Sequence, residues 1–179
     1  HMDPTEGLGR NVAEPVVDML FPPGTPSRIP IIAVTGTNGK TTTTRLIAHL
    51  MRSHGHKVGM TCTDGVYIMN RMLMKGDCTG PISAQFVLKD PLVDLAVLET
   101  ARGGMLRSGL GFESCDVGIC TNVAADHLGL KDINTVEELA QVKAIVPRSV
   151  RNDGYAILNA DDELVMAMRK QCQAKIALF

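Results

Sequence analysis

Apolar positions along the chain come in short dense runs, and these alternate with stretches of helical spacing. "PIIAVT" (30–35), "KVGMTCT" (57–63), "DLAVLET" (94–100), "DVGICTNV" (116–123), "GYAILN" (154–159) and "KIALF" (175–179) are nearly continuous apolar runs of strand length. Between them, "TTTTRLIAHLMRSHG" reads as a helix with Leu46, Ile47, Leu50 and Met51 on its buried face and Gly55 as its stop. "GPISAQFVLKD" places Pro81 at a first helical position. "TVEELAQVKAIV" opens with Thr135 and Glu138 in capping-box spacing and is limited or kinked by Pro147. "DDELVMAMRKQC" is a further helix, and "GVYIMNRMLMKG" reads as a small hairpin turning at Asn70-Arg71. Strand–helix alternation with apolar strands predicts an α/β fold. Its sheet is mostly parallel, with helices on both faces and ligands at the carboxyl ends of the strands.

Residues 3–29 carry a weaker pattern: "NVAEPVVDML" has the makings of a short helix, and "FPPGTPSR" is rich in Pro and Gly. The stretch 1–29 therefore reads as a linker, with His1-Met2 a cloning scar, and the domain as 30–179. Because the chain stops on an apolar strand, it is expected to end within a larger architecture.

Composition narrows the picture. Of 179 residues, 45% are apolar and only 3% aromatic, so the core must be built from Val, Ile, Leu, Met and Ala. A net charge of −1 gives no electrostatic case for nucleic acid or a membrane surface. Five cysteines without a CxxC pair read as free thiols of a reducing cytoplasm, and no apolar run has the length of a membrane span.

The candidate chemistry begins at "TGTNGKTT" (35–42), which follows a strand and opens a helix. In the common phosphate-binding loop, four residues separate the first Gly from the Gly-Lys pair. Counting back from Gly39-Lys40 lands on Val34, and the first glycine is Gly36, so this loop is shortened. Backbone N–H groups of Gly36, Thr37, Asn38, Gly39, Lys40, Thr41 and Thr42 are placed to wrap phosphates at a helix N-terminus. Lys40 can reach β/γ-phosphates, and Thr41 stands where a hydroxyl ligates Mg²⁺.

Glu99 closes one strand, and Asp126-His127 follow another, all expected on the same sheet edge as the loop. Taken singly, Glu99 reads as a solvated strand-end charge and His127 as structural. Their shared placement points instead to a metal–nucleotide site. Lys143, by its position in an apolar-faced helix, reads as a snorkelling surface lysine. Arg102 and Arg107 flank Gly103-Gly104 in what reads as a flexible loop. They suit phosphate or carboxylate recognition, or are ordinary surface arginines.

Together these residues resemble the central ATPase domain of the Mur ligase superfamily. The short Gly-Thr-Asn-Gly-Lys-Thr loop matches Gly36 to Thr41, and Thr79-Gly80-Pro81 is similar to the family's Thr-Thr-Pro segment near the acceptor substrate. "VLET" resembles the strand of the Mg-binding Glu, "TNVAADHL" the "TN…DHL" signature, and "AQVKAIV" the helix whose Lys is carbamylated in several members. The resemblance thus implies catalytic or metal roles for Lys40, Thr41, Glu99, His127 and Lys143, with ATP and Mg²⁺ as cofactors. It implies low-weight substrate contacts at Thr79, Gly80, Arg102 and Arg107. "TARGG" stands where the family has Ser-Ser, and Gly129 where an Asp often follows. "TDGVYI", "KGDCTGPISAQ" and "VLETARGGMLRSGLGF" resemble one branch in particular. That branch joins arginine to side carboxylates of an aspartate-backbone polymer primer, and its full-length form, a homo-oligomer, also adds aspartate.

Two other readings stand beside this one. Another ligase of the superfamily, for a peptidoglycan precursor or folylpolyglutamate, shares the loop but not "ETARGGMLRSGL". A nucleotide-binding module without catalysis of its own fits a chain this short. A GTPase is disfavoured, because there is no Asn-Lys-x-Asp guanine signature.

Overall fold

The structure is a computed structural model that describes residues 13–20, 22, 24, 28–125 and 133–179. Its centre is an eight-stranded sheet in the order β4-β3-β2-β5-β1-β6-β7-β8. The strands are β1 (Ile31–Thr35), β2 (Val58–Cys62), β3 (Gly65–Ile68), β4 (Arg71–Lys75), β5 (Leu95–Glu99), β6 (Cys115–Cys120), β7 (Val150–Leu158) and β8 (Lys175–Leu178). All neighbouring pairs from β2 to β8 are parallel; only β2–β3 and β3–β4 are antiparallel. This is the α/β architecture expected from the apolar runs, with the hairpin appended at one edge.

The helices are α1 (Ala13–Leu20), α2 (Lys40–Ser53), α3 (Pro81–Leu88), α4 (Arg102–Ser108), α5 (Val136–Lys143), α6 (Ile145–Arg148) and α7 (Glu163–Ala167). Helix α2 covers one face, where Ala48 packs with Val58, Met60, Leu95 and Val97. On the other face Ala84, Val87, Met105, Val142 and Val146 pack with Ile31, Ala33, Ala96 and Leu98. Neighbouring residues of β1 and β5 thus point to opposite layers, so both faces of these strands must be apolar. Cysteines contribute to this packing, and none is bonded to another. Burial pushes the Cys115 thiol up to about 11 and Cys120 up to about 12, so both are neutral core groups.

Several local expectations hold. Pro81 opens α3, and the Thr135–Glu138 capping box is formed in both directions. Others are corrected. The hairpin turns one residue earlier than Asn70-Arg71, at Met69-Asn70, both with positive φ (48° and 73°). That matches the two-residue turn whose twist suits paired strands. In α2, Leu46 and Leu50 are exposed (56% and 49%), while Thr44 and Ala48 are buried. Helical spacing identified a face of about the right width, but small side chains are the ones that let α2 approach the sheet closely. The segment 136–148 is two helices broken at Ala144, one turn before Pro147. Strand β7 starts at Val150 rather than Gly154, with a register irregularity against β6.

The stretch after Glu99 was expected to be a flexible loop. It is helix α4. Gly104 lets α4 lie against the backbone of 79–80: a Cβ there would stand 2.8 Å from the Cα of Gly80. Gly104 therefore permits close packing here.

Candidate functional site

Strand β1 lies between β5 and β6, and the chain leaves it for β2 on one side and reaches β6 on the other. The carboxyl ends of β1, β5 and β6 thus meet at a point where strand order reverses, which is where α/β sheets open a ligand crevice. The sequence-predicted residues at these three ends are the shortened loop, Glu99 and the segment beginning at Thr121.

The loop is held open by its glycines. Gly36 has φ 147°, and a Cβ there would collide with the Thr121 hydroxyl; Gly39 has φ 81° and caps α2. Thr121 and Asn122 then fasten the loop. Thr121 Oγ1 donates to the Asn38 carbonyl (2.7 Å), and the Asn38 N–H donates to Asn122 Oδ1 (2.9 Å). The Thr37 N–H donates to the Asn122 carbonyl (2.9 Å), and the Ala124 N–H donates to Thr37 Oγ1 (3.0 Å). Asn159, at the end of β7, donates to the Thr121 carbonyl (2.9 Å). These bonds fix the loop backbone before any ligand arrives, which lowers the ordering cost of binding.

Lys40, first residue of α2, folds back so that Nζ donates to the Thr37 carbonyl (2.8 Å). Thr42 is exposed in the first turn of the same helix. Lys143 is not a surface lysine: it is 4% exposed, and its Nζ donates to the Gly36 carbonyl (2.8 Å) from α5. With Arg102 and Leu139, these residues line a pocket of about 170 Å³ over the loop. Three cationic side chains on so small a pocket favour an anion.

Glu99 is likewise not solvated. It is 1% exposed, and Oε2 accepts from Thr41 Oγ1 (2.8 Å) and from the Thr63 N–H (3.3 Å). Thr41 Oγ1 also lies 2.9 Å from Thr63 Oγ1. Burial raises the carboxyl above its usual range, against the opposing pull of Thr41 and Lys40. Its second oxygen, Oε1, is buried with no hydrogen-bond partner among the described residues. A buried carboxylate oxygen without a donor, beside two hydroxyls and a phosphate-sized pocket, suits a hard divalent cation with oxygen ligands. Among the described residues no three His, Cys, Asp or Glu side chains cluster as a metal site. Asp126 and His127 lie outside the described residues.

A second cleft adjoins the pocket. It has a volume of about 470 Å³ and is lined by Thr79, Gly80, Gly103 and Arg107 among others. Ala101 and Gly103 line both spaces, so the candidate substrate residues do sit beside the candidate phosphate residues.

Sequence reasoning missed Thr63, Thr121, Asn122 and Asn159 as supports of the site. The "TN" of the resembled signature was a usable signal for Thr121 and Asn122. Nothing marked Thr63 or Asn159, because their roles depend on which strands are neighbours.

Known proteins bear on this geometry directly. The chain is 64% identical over 179 residues to cyanophycin synthetase of Crocosphaera subtropica, covering 100% of this chain and 20% of that protein. It spans the same 20% share of other cyanophycin synthetases. A solved UDP-N-acetylmuramoyl-L-alanyl-D-glutamate–2,6-diaminopimelate ligase superposes with a TM-score of 0.70 at 26% identity, covering 92% of this chain and 34% of that one. A bifunctional folylpolyglutamate synthase/dihydrofolate synthase with Mn, AMPPNP and L-glutamate bound shares the fold, with a TM-score of 0.64 at 22% identity, over 83% and 43% of the two chains. The family model of the Mur ligase middle domain matches residues 34–179, from the last turn of β1 through β8. Matched by that model over most of its length, the chain belongs to the Mur ligase middle domain family.

Proposed function

We propose that this chain is the phosphate-handling domain of an ATP-dependent amide ligase that joins arginine to side carboxylates of an aspartate-backbone polymer. Residues 30–179 form that domain, and 1–29 lead into it. One observation carries the ligase chemistry: buried Glu99 accepts a hydrogen bond from Thr41 and keeps a second carboxylate oxygen unpaired among the described residues, beside the cationic pocket of the loop. The 64% identity to a cyanophycin synthetase supports the choice of substrates.

A free carboxylate acylates poorly, because its leaving group would be oxide. Bound MgATP supplies the phosphoryl group that converts the carboxylate to an acyl phosphate, and the metal offsets charge on the phosphates. The chain's own residues do the rest. Loop N–H groups and Lys40 orient the phosphates and stabilise charge that develops during transfer. Lys40 must leave the Thr37 carbonyl to do so, a small rotation of a flexible side chain. Thr41 and Glu99 would hold the cation and Lys143 would face the phosphates; the family resemblance adds His127, outside the described residues, as a metal ligand. Arg102 and Arg107 steady the carboxylate end of the substrate, near Thr79 and Gly80. The arginine amine then attacks the acyl carbon, phosphate leaves and the amide forms.

The test is Lys40→Ala in the full-length enzyme. Arginine addition should be abolished while aspartate addition persists; retained arginine incorporation refutes the assignment. The 20% share of the cyanophycin synthetases that the chain spans favours a second statement about the isolated chain: it binds nucleotide phosphate and turns over little. Phosphate release measured with and without primer and arginine separates a bare binder from a ligase.

A further inference from the structure

The cleft between α3 and α4 contains two opposite charges that do not pair with each other. Asp77 enters from the segment after β4, and Arg107 from the last turn of α4. Asp77 Oδ1 accepts from the Thr79 N–H (3.2 Å) and Thr79 Oγ1 (2.7 Å), and no bond engages Oδ2 among the described residues. Arg107 Nε donates to the Gly103 carbonyl (3.0 Å), which fixes the root of the guanidinium. Its terminal nitrogens meet no carboxylate among the described residues, although Arg28, Arg45 and Arg151 all find one.

The walls of this cleft are firm. Besides Gly104 against Gly80, the Ala101 N–H donates to the Thr79 carbonyl (3.3 Å), so both sides are tied together at the base. At about 470 Å³ the space has the size of a small-molecule site. It shares Ala101 and Gly103 with the pocket over the loop. Asp77 is near enough to Glu99 for its charge to raise that carboxyl, a small effect beside burial. A ligand seated here therefore lies beside the proposed reacting centre.

We propose that Asp77 is a specificity-determining residue: its open oxygen receives a guanidinium or ammonium group of a substrate whose carboxylate is held by Arg107. The proposal rests on the ligase reading and names the class of substrate, an amino-acid-like chain with a basic side group. A cleft with fixed charges of both signs prefers such a ligand over a purely anionic one, because each unpaired charge rejects a partner of its own sign.

The guanidinium has two sources, an arginine already on the acceptor or the incoming arginine. In the complete ligase, kcat and KM are measured for each with citrulline, its neutral isostere, in place of arginine. The variant is D77N, which keeps an Oδ1 acceptor for Thr79 and removes the charge. In the parent, citrulline should raise KM about tenfold in one of the two arms, in keeping with loss of a charge-assisted hydrogen bond. D77N should raise KM for the arginine form to that level and leave the citrulline form and kcat within about twofold. The affected arm identifies the source. Indifference to citrulline in both arms, or discrimination retained in D77N, overturns the proposal, as does an equal fall of kcat on all substrates. Should the parent form no amide, the ligase reading fails. Calorimetric titration with an aspartyl-arginine dipeptide then decides the inference alone: weaker binding by D77N sustains it, and equal binding overturns it.

Discussion

Replacing Glu99 by Gln probes the centre of the site through stability rather than turnover. The Glu99 carboxylate is 1% exposed, with Oε2 bonded to Thr41 and Thr63 and Oε1 without a partner among the described residues. Leaving a buried polar group unpaired costs about 1–3 kcal/mol, and more when it is charged. Gln keeps an oxygen for Thr41 and Thr63 and removes the charge, though its amide also lacks a partner. The expected gain at neutral pH in metal-free buffer is therefore at the low end, about 1 kcal/mol. In a domain of this size that raises Tm by about 3 °C. The pH dependence has a definite sign. Burial raises the folded carboxyl above its unfolded value, so the folded state holds a proton that the unfolded state releases. The wild-type contribution is complete below the unfolded value and is lost as pH rises through the folded one. Wild type and E99Q should thus match near pH 4 and diverge toward pH 7. A divalent cation should reverse the order, since it stabilises only the chain that binds it, by about 2.7 kcal/mol at a hundredfold excess over Kd. Urea denaturation at several pH values, with and without Mg²⁺ and ATP, measures all of this. A metal-free E99Q chain less stable than wild type at pH 7, or one with a full metal shift, refutes the reasoning.

Two other substitutions test the geometry around that centre. Gly36→Ala meets both a positive φ of 147° and the Thr121 hydroxyl, and should cost about 2 kcal/mol or more by denaturation, with Thr121→Ala restoring only part of it. Leu50→Lys on exposed α2 should change stability by less than about 0.5 kcal/mol, whereas Ala48→Leu in the fully buried neighbouring position should cost about 1–3 kcal/mol; the opposite ranking would restore the leucine face as the core.

Sequence pattern alone carried the architecture a long way. Apolar runs such as 31–34 and 95–98 are legible as buried strands, because a strand covered on both faces leaves little room for polar positions before its end. The loop Gly36–Thr41 is legible, despite its shortened spacing, because Gly-Lys-Thr stands between a strand and a helix, all within one local stretch. The capping box at Thr135–Glu138 is legible for the same reason: both partners lie within one turn. What escaped were the features that depend on neighbours distant in the chain. Leu50 looked like core and Ala48 did not, since periodicity finds a face but not the distance between helix and sheet. Lys143 looked solvated, and only the approach of α5 to the Gly36 carbonyl buries it. Gly103-Gly104 looked mobile, and only contact with residues 79–80 explains why a glycine stands at 104. The unpaired oxygen of Glu99 and the open charges of Asp77 and Arg107 belong to this second group. Whether a polar atom has a partner is settled by three-dimensional packing, and it is there that the sequence's local chemistry becomes a site.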